Sequence, residues 1–289
     1  MNKLWTIGAL LQWTQQYFAQ KGIDSPRLDA EILLAHVLHK ERIYLYAHYD
    51  EPMNADELAA YRELVKKRAS RWSVAHILGV KPFMGLDFHV SGDVLIPRPE
   101  TETLVETVLE RIPKDAAPAI LDIGTGSGAI ILSLLQYLPN AVGMGVDISP
   151  QALEIAGKNG AALQLDRRVT WKQSNICSAL EDRQFDWIVS NPPYLTQDDM
   201  NHLQPEVAHD PAQALFGGTD GLDIYRRIAA ESPAHLCDDG CCAVEIGAGQ
   251  EDDVVRIFTA DGMYHHERTV CDYGGIARVL VFRRKEKSK

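Results

Sequence analysis

The sequence predicts an α/β protein, with a mostly parallel seven-stranded sheet behind a small all-helical domain. Three observations lead there. From residue 119 onward, short apolar runs alternate with helical patterns, as strands joined by covering helices do. The first of those runs empties into a glycine-rich turn, Gly124-Thr125-Gly126-Ser127-Gly128, just ahead of a helical pattern. Residues 1 to about 75, by contrast, show mainly helical spacing.

The helical segment starts at Thr6, an N-cap, followed by Ile7, Leu10, Leu11, Thr14, Tyr17 and Phe18 in register up to Gly22. Ser25-Pro26 restarts a helix that carries Leu28, Ile32, Ala35 and Leu38 on one face. The stretch from Arg42 to Tyr49 fits no single period. Asn54-Ala55-Asp56-Glu57 reads as a capping box, opening a helix with Leu58, Tyr61, Val65 and Trp72 in register. Between about 76 and 100, Phe83, Met84, Leu86, Phe88 and Val90 around Gly85 predict a two-stranded hairpin. Ile96-Pro97-Arg98-Pro99-Glu100-Thr101-Glu102 is a rigid link into a helix from Thr103 to Arg111. Its charges fit a plain linker and the rim of a site equally well.

The strands expected next are Ala119–Ile123, Ala141–Asp147, Val169–Gln173, Phe185–Ser190, Cys241–Glu245, Tyr264–Cys271 and Ala277–Phe282. Helices fall at Ser127–Leu138, Pro150–Leu163, Leu222–His235 and Gln250–Ala260. No helix separates the last two strands, so they should pair as an antiparallel hairpin. The tail from Arg283 to Lys289 is expected to fray because it is so charged. The implied organisation is a helical bundle at 1–75, a hairpin and linker at 76–102, and a nucleotide-binding type of domain at 103–289.

Composition bounds the function. The 289 residues suffice for two cores, and 46% hydrophobic with 24% charged residues is ordinary for a water-soluble protein. No apolar run reaches the roughly 20 residues that span a bilayer, and the N-terminus lacks a secretory pattern. Five irregularly spaced cysteines argue for a reducing compartment, so a cytoplasmic protein without membrane association is expected. Cys237, Cys241 and Cys242 lack zinc spacing, and no metal is expected. A net charge of −11 disfavours a grip on duplex phosphates, so DNA binding is not expected.

Two stretches carry chemistry. The glycines of the 124–128 loop allow close backbone approach to a ligand, and Asp147, at the end of the next strand, suits both hydroxyls of a ribose. The G-x-G-x-G spacing and the preceding Asp122 suit an aminoacyl cation better than a pyrophosphate, which favours S-adenosyl-L-methionine over a nicotinamide dinucleotide. Asn191-Pro192-Pro193-Tyr194 follows the fourth strand. Its prolines hold one carboxamide stiffly at the strand end. That device suits a planar NH2 group. Hydrogen bonds from the two N–H groups to the Asn191 side-chain oxygen and the Pro192 carbonyl would orient the nitrogen and stabilise charge growing on it. Tyr194 is placed to pack on the flat group. An exocyclic adenine amine would fit the same grip, and a binding protein without catalysis is a further reading.

Leu121 to Gly128, Asp147 and Asn191 to Tyr194 together resemble the class I methyltransferases, whose Rossmann-like sheet ends in an antiparallel hairpin. Val94 to Glu102, and Ala214-Leu215-Phe216-Gly217-Gly218 through Asp220-Gly221-Leu222, narrow the resemblance to the bacterial release-factor glutamine methyltransferases. The resemblance implies methyl transfer from S-adenosyl-L-methionine to the side-chain N5 of the glutamine in the Gly-Gly-Gln motif of peptide chain release factors. S-adenosyl-L-homocysteine is the coproduct, and a monomer is expected. It further implies that Gly124, Thr125, Gly126, Ser127 and Gly128 hold the methionine end and Asp147 the ribose. Asn175 and Ile176 would lie at the adenine, while Asn191 and Pro192 carry catalysis and Pro193 and Tyr194 complete the substrate grip. Asn175 stands where an Asp commonly accepts from the adenine amine, which puts adenine affinity in question. Glu206, His209 and Asp210 lie in the polar loop expected to cover substrate.

Overall fold

A computed structural model describes residues 5–285. These fall into two units. One runs to Val80 and takes in Gln204–His209; the other holds Lys81–Leu203 and the chain from Asp210.

The first unit is helical: α1 (Ile7–Gln20), α2 (Pro26–Leu38), α3 (Arg42–Ala47), α4 (Ala55–Ala69) and α5 (Val74–Leu78). Thr6 caps α1 through its side chain, and the Asn54–Glu57 capping box is complete. The stretch of mixed period proves helical as α3. Trp72 lies outside α4, which stops at Ala69 because Arg71 turns left-handed, φ 70°. Phe18, Leu33, Leu34, Leu45 and Tyr61 form the core, and the Tyr61 hydroxyl donates to the Ala30 carbonyl. Beside it sits an ion network built on buried Arg68 and Asp29. Arg68 donates through Nε to Asp29 Oδ2 at 2.7 Å and through Nη1 to Glu206 Oε1 at 2.9 Å. Arg71 holds the other Glu206 oxygen at 2.8 Å, and His209 stacks on Trp72 with ring centroids 4.2 Å apart. Glu206 and His209 thus serve the helical unit's own structure.

The second unit opens at Lys81, inside the first strand of the hairpin β1 (Val80–Phe83) and β2 (Leu86–His89), and continues with α6 (Glu102–Arg111). Its further elements are β3 (Ala119–Ile123), α7 (Ala129–Tyr137), β4 (Val142–Asp147), α8 (Pro150–Ala162), β5 (Val169–Gln173) and β6 (Phe185–Ser190). After these come α9 (Gln197–Asn201), α10 (Asp223–Glu231), β7 (Leu236–Glu245), α11 (Glu251–Thr259), β8 (Tyr264–Cys271) and β9 (Ala277–Arg284). The sheet order is β5-β4-β3-β6-β7-β9-β8; the first five run parallel and β9 is antiparallel to both its neighbours. This is the expected mostly parallel sheet with a terminal hairpin.

Three boundaries differ from expectation. The hairpin belongs to the catalytic-type unit: Phe83 and Phe88 enter its core with α6 and α7, and Asn159 on α8 clamps His89 through both its N–H and its carbonyl. The fifth parallel strand starts at Leu236, ahead of the expected Cys241. Finally, Arg283 and Arg284 do not fray. Arg283 pairs with Glu267 and Asp239, and buried Arg284 donates to the Leu236 carbonyl and pairs with Asp238, so both charges have acidic partners and β9 continues. Residues 286–289 lie outside the described chain.

Sheet topology fixes where a ligand can sit. The chain winds from β3 outward through β4 and β5, then returns to the other side of β3 with β6. Such a reversal opens a crevice at the carboxyl ends of the strands.

Candidate active site

Register brings the two sequence motifs together. Ile123 pairs with Ser190 on one side and Val146 on the other, so Gly124, Asn191 and Asp147 all leave the sheet at one level. The Ser190 hydroxyl donates to the Ile123 carbonyl at 2.7 Å, tying the ends of β3 and β6.

A cleft opens there. Among its lining residues are Gly124, Gly126, Asp147, Asn175, Ile176, Asn191, Pro192 and Pro193. Gly124 and Gly126 have φ of 72° and 53°, and a Cβ on either would meet nothing within 4 Å. The loop therefore presents bare backbone to open space, a cradle for a ligand. Asp147 accepts from Gly126 N and Ser149 N, each at 2.9 Å. Burial raises its pKa against those hydrogen bonds. A carboxylate has further acceptor sites for hydroxyls after those two bonds.

Asp122 stands one layer deeper. It is fully buried, its Oδ2 accepts from the Thr125 hydroxyl at 2.7 Å, and burial pushes its pKa to about 7. Thr125 and Ser127 are buried as well, and Gly128 packs on Leu132 and Trp171. Of the expected loop contacts, the glycines at 124 and 126 face the cleft, while Asp122, Thr125, Ser127 and Gly128 shape the loop from behind.

Ile176 has φ 59°, a strained backbone for a β-branched residue. Ser174 holds it: its hydroxyl donates to the Ile176 carbonyl at 2.8 Å and accepts from Ala179 N at 3.1 Å. The apolar side chain so placed lines the cleft beside Ile148. Asn175 also lines it, but its Oδ1 already accepts from Arg227 Nη1 at 2.6 Å.

Asn191 donates through Nδ2 to Thr101 Oγ1 at 3.1 Å. Tyr194 is absent from the cleft lining; its ring packs close to Gly247, and burial pushes its hydroxyl pKa to about 12. Gln250 clamps the turn, accepting from Gly247 N at 3.0 Å and donating to the Tyr194 carbonyl at 3.1 Å. Gly217 is required by close approach: a Cβ there would lie 2.6 Å from the Pro193 carbonyl. Val94, Leu95, Ala214 and Phe216 line the same cleft, which places the 94–102 and 214–222 stretches at the site. In that linker Arg98 bonds Asp210 at 2.5 Å, and Glu102 accepts from Met84 N. Asp210 therefore braces the linker.

Sequence reasoning missed Thr101, Gln250 and Glu245. A lone carboxylate ending the apolar run Cys241–Glu245 was the available signal for Glu245.

A parallel sheet with a terminal antiparallel hairpin, carrying a bare glycine cradle, a strand-end acid and a proline-stiffened asparagine at its switch point, defines a methyltransferase using S-adenosyl-L-methionine. A methyltransferase from Pyrococcus furiosus shares this fold at TM-score 0.54 and 18% identity, over 81% of this chain and all of that one. Residues 9–79 match the PrmC N-terminal domain and residues 100–241 the methyltransferase small domain. The release factor glutamine methyltransferase of Geobacter sulfurreducens is 44% identical over 96% of both chains. That of Agrobacterium fabrum is 42% identical over 96% of this chain and 98% of its own. The chain belongs to the release factor glutamine methyltransferase family.

The residues present fit the cofactor. The open backbone at Gly124 and Gly126 admits the methionine end, Asp147 reaches the cleft for the ribose, and Ile148 with Ile176 offers apolar walls for a flat base.

Proposed function

We propose that this protein transfers a methyl group from S-adenosyl-L-methionine to the side-chain N5 of the glutamine in the Gly-Gly-Gln motif of peptide chain release factors, and so modulates translation termination. Bound S-adenosyl-L-methionine supplies an electrophilic methyl group. The chain supplies position.

An amide nitrogen is a poor nucleophile because its lone pair is delocalised into the carbonyl. Asn191 Oδ1 and the Pro192 carbonyl accept its two N–H bonds, which orients the nitrogen and stabilises positive charge developing on it. The single observation that carries this reading is the register of β3 with β6, which sets Asn191 level with the glycine cradle. Gly124, Gly126, Asp147 and Ile176 hold the cofactor, with Asp122, Thr125, Ser127 and Gly128 supporting the loop and Asn175 at the rim. Pro193 stiffens the grip and Tyr194 anchors it from behind. The nitrogen loses one proton to water, and S-adenosyl-L-homocysteine would be the coproduct.

The amide grip alone would also serve an adenine amine on a nucleic acid. The net charge of −11 argues against that substrate. Incubation with labelled cofactor and either release factor or DNA separates the two: label in the release factor supports this reading, and label in DNA alone overturns it.

A further inference from the structure

A side-chain amide has two nearly isosteric orientations, and only one of them suits Asn191. With Oδ1 forward it accepts from a substrate N–H; with Nδ2 forward it presents a donor to another donor. Something behind the amide must choose.

Two acceptors lie there. Thr101 Oγ1 takes the Nδ2 hydrogen at 3.1 Å. The Glu245 carboxylate, 2% exposed, ends β7 one residue beyond Val244, which pairs with Ser190, so it stands level with Asn191 on the neighbouring strand. Its Oε2 has no hydrogen-bond partner among the described residues. Burying a carboxylate with an unsatisfied oxygen is costly, and packing alone gives no reason for it. Neither residue is among those that line the cleft.

Building on the amide-methylation reading, we propose that Thr101 and Glu245 are positioning residues that hold Asn191 Nδ2 to the rear and so turn its Oδ1 into the cleft. The linker preceding α6 then has a catalytic purpose beyond joining two segments: it delivers Thr101 to the amide.

Ionisation matters to this role. An ionised Glu245 only accepts, whereas a protonated one also donates and tolerates the wrong amide orientation. Burial pushes its pKa to about 7, opposed by Thr101, Arg278 on β9 and Asn191, and assisted by Glu100 in the turn before α6. Tyr194 beyond β6 and Tyr225 on α10 also face it. Activity should therefore rise as pH climbs through about 7 and Glu245 ionises.

The test measures kcat, cofactor Kd and the pH profile for Glu245→Gln, Thr101→Val and Thr101→Ser with release factor as substrate. We expect Glu245→Gln and Thr101→Val to lower kcat about 10- to 100-fold, the worth of one charge-assisted hydrogen bond, with cofactor Kd unchanged. Thr101→Ser restores the rate, and Glu245→Gln loses the acid limb. The threonine pair keeps the inference testable where Glu245→Gln fails to fold. An active wild type with wild-type kcat in these variants, or losses matched by a weakened cofactor Kd, overturns the inference alone. A wild type that methylates no release factor overturns the functional reading and the inference with it.

Discussion

Asn191 Nδ2 donates to Thr101 Oγ1 across 3.1 Å, joining the end of β6 to the turn that precedes α6. The Asn191 amide is thus held from the linker side as well as by its own strand. Removing it is the simplest perturbation. Asn191→Ala should lower kcat/KM by about 10²- to 10³-fold, as loss of one preorganised hydrogen-bonding group does, with cofactor Kd nearly unchanged by calorimetry.

Asp147 spans the glycine loop and the cofactor cleft, accepting from Gly126 N and Ser149 N. Asp147→Ala should weaken S-adenosyl-L-methionine binding by about 1.5–3 kcal/mol, the range for hydrogen bonds to a charged group. Calorimetric titration measures it. An unchanged Kd would remove Asp147 from the cofactor site.

Asn175 has a single side-chain oxygen, and Arg227 occupies it at 2.6 Å. An aspartate there would offer two oxygens, one for Arg227 and one for an adenine amine. Asn175→Asp should tighten cofactor binding by about 1 kcal/mol, the net worth of one hydrogen bond. The same titration decides it.

Gly217 packs against the backbone of Pro193 and Tyr194, where a Cβ would sit 2.6 Å from the Pro193 carbonyl. Gly217→Ala should cost about 1–3 kcal/mol of stability through overpacking and reduce kcat by displacing the grip. Denaturant unfolding and steady-state kinetics report the two effects separately.

Glu206 is held by Arg68 and Arg71 in the helical unit. Burial would raise its pKa, but the two guanidinium hydrogen bonds outweigh it and the net shift is downward. A folded-state pKa below the unfolded one gives stability that is present above the unfolded glutamate range. It is lost as pH falls through the folded value. Glu206→Gln should therefore flatten the acid limb of the stability–pH curve relative to wild type. Arg68→Ala, which leaves Asp29 and Glu206 without their shared partner, should cost about 3–5 kcal/mol. Urea unfolding across pH checks both.

Much of the catalytic unit was legible because its signals are local. The glycine loop, Asp147 and the proline-stiffened Asn191 each announce themselves within a few residues, and alternation of strands and helices implies that they meet at one sheet edge. What escaped were partnerships across long sequence distance. Nothing near Thr101 or Glu245 says that each lies behind Asn191, and Gln250 reaches Tyr194 only after the chain has folded back. The charged tail misled for the same reason: Arg283 and Arg284 find acidic partners on other strands. Glu206 and His209 read as substrate-loop residues until the fold set them against Arg68 and Trp72.

Mass spectrometry of a release factor after incubation with this protein and S-adenosyl-L-methionine tests amide methylation most directly. Wild type should add one methyl to the Gly-Gly-Gln glutamine, and Asn191→Ala none above background. An unmodified glutamine with active wild type, or equal methylation by the Asn191→Ala variant, would contradict it.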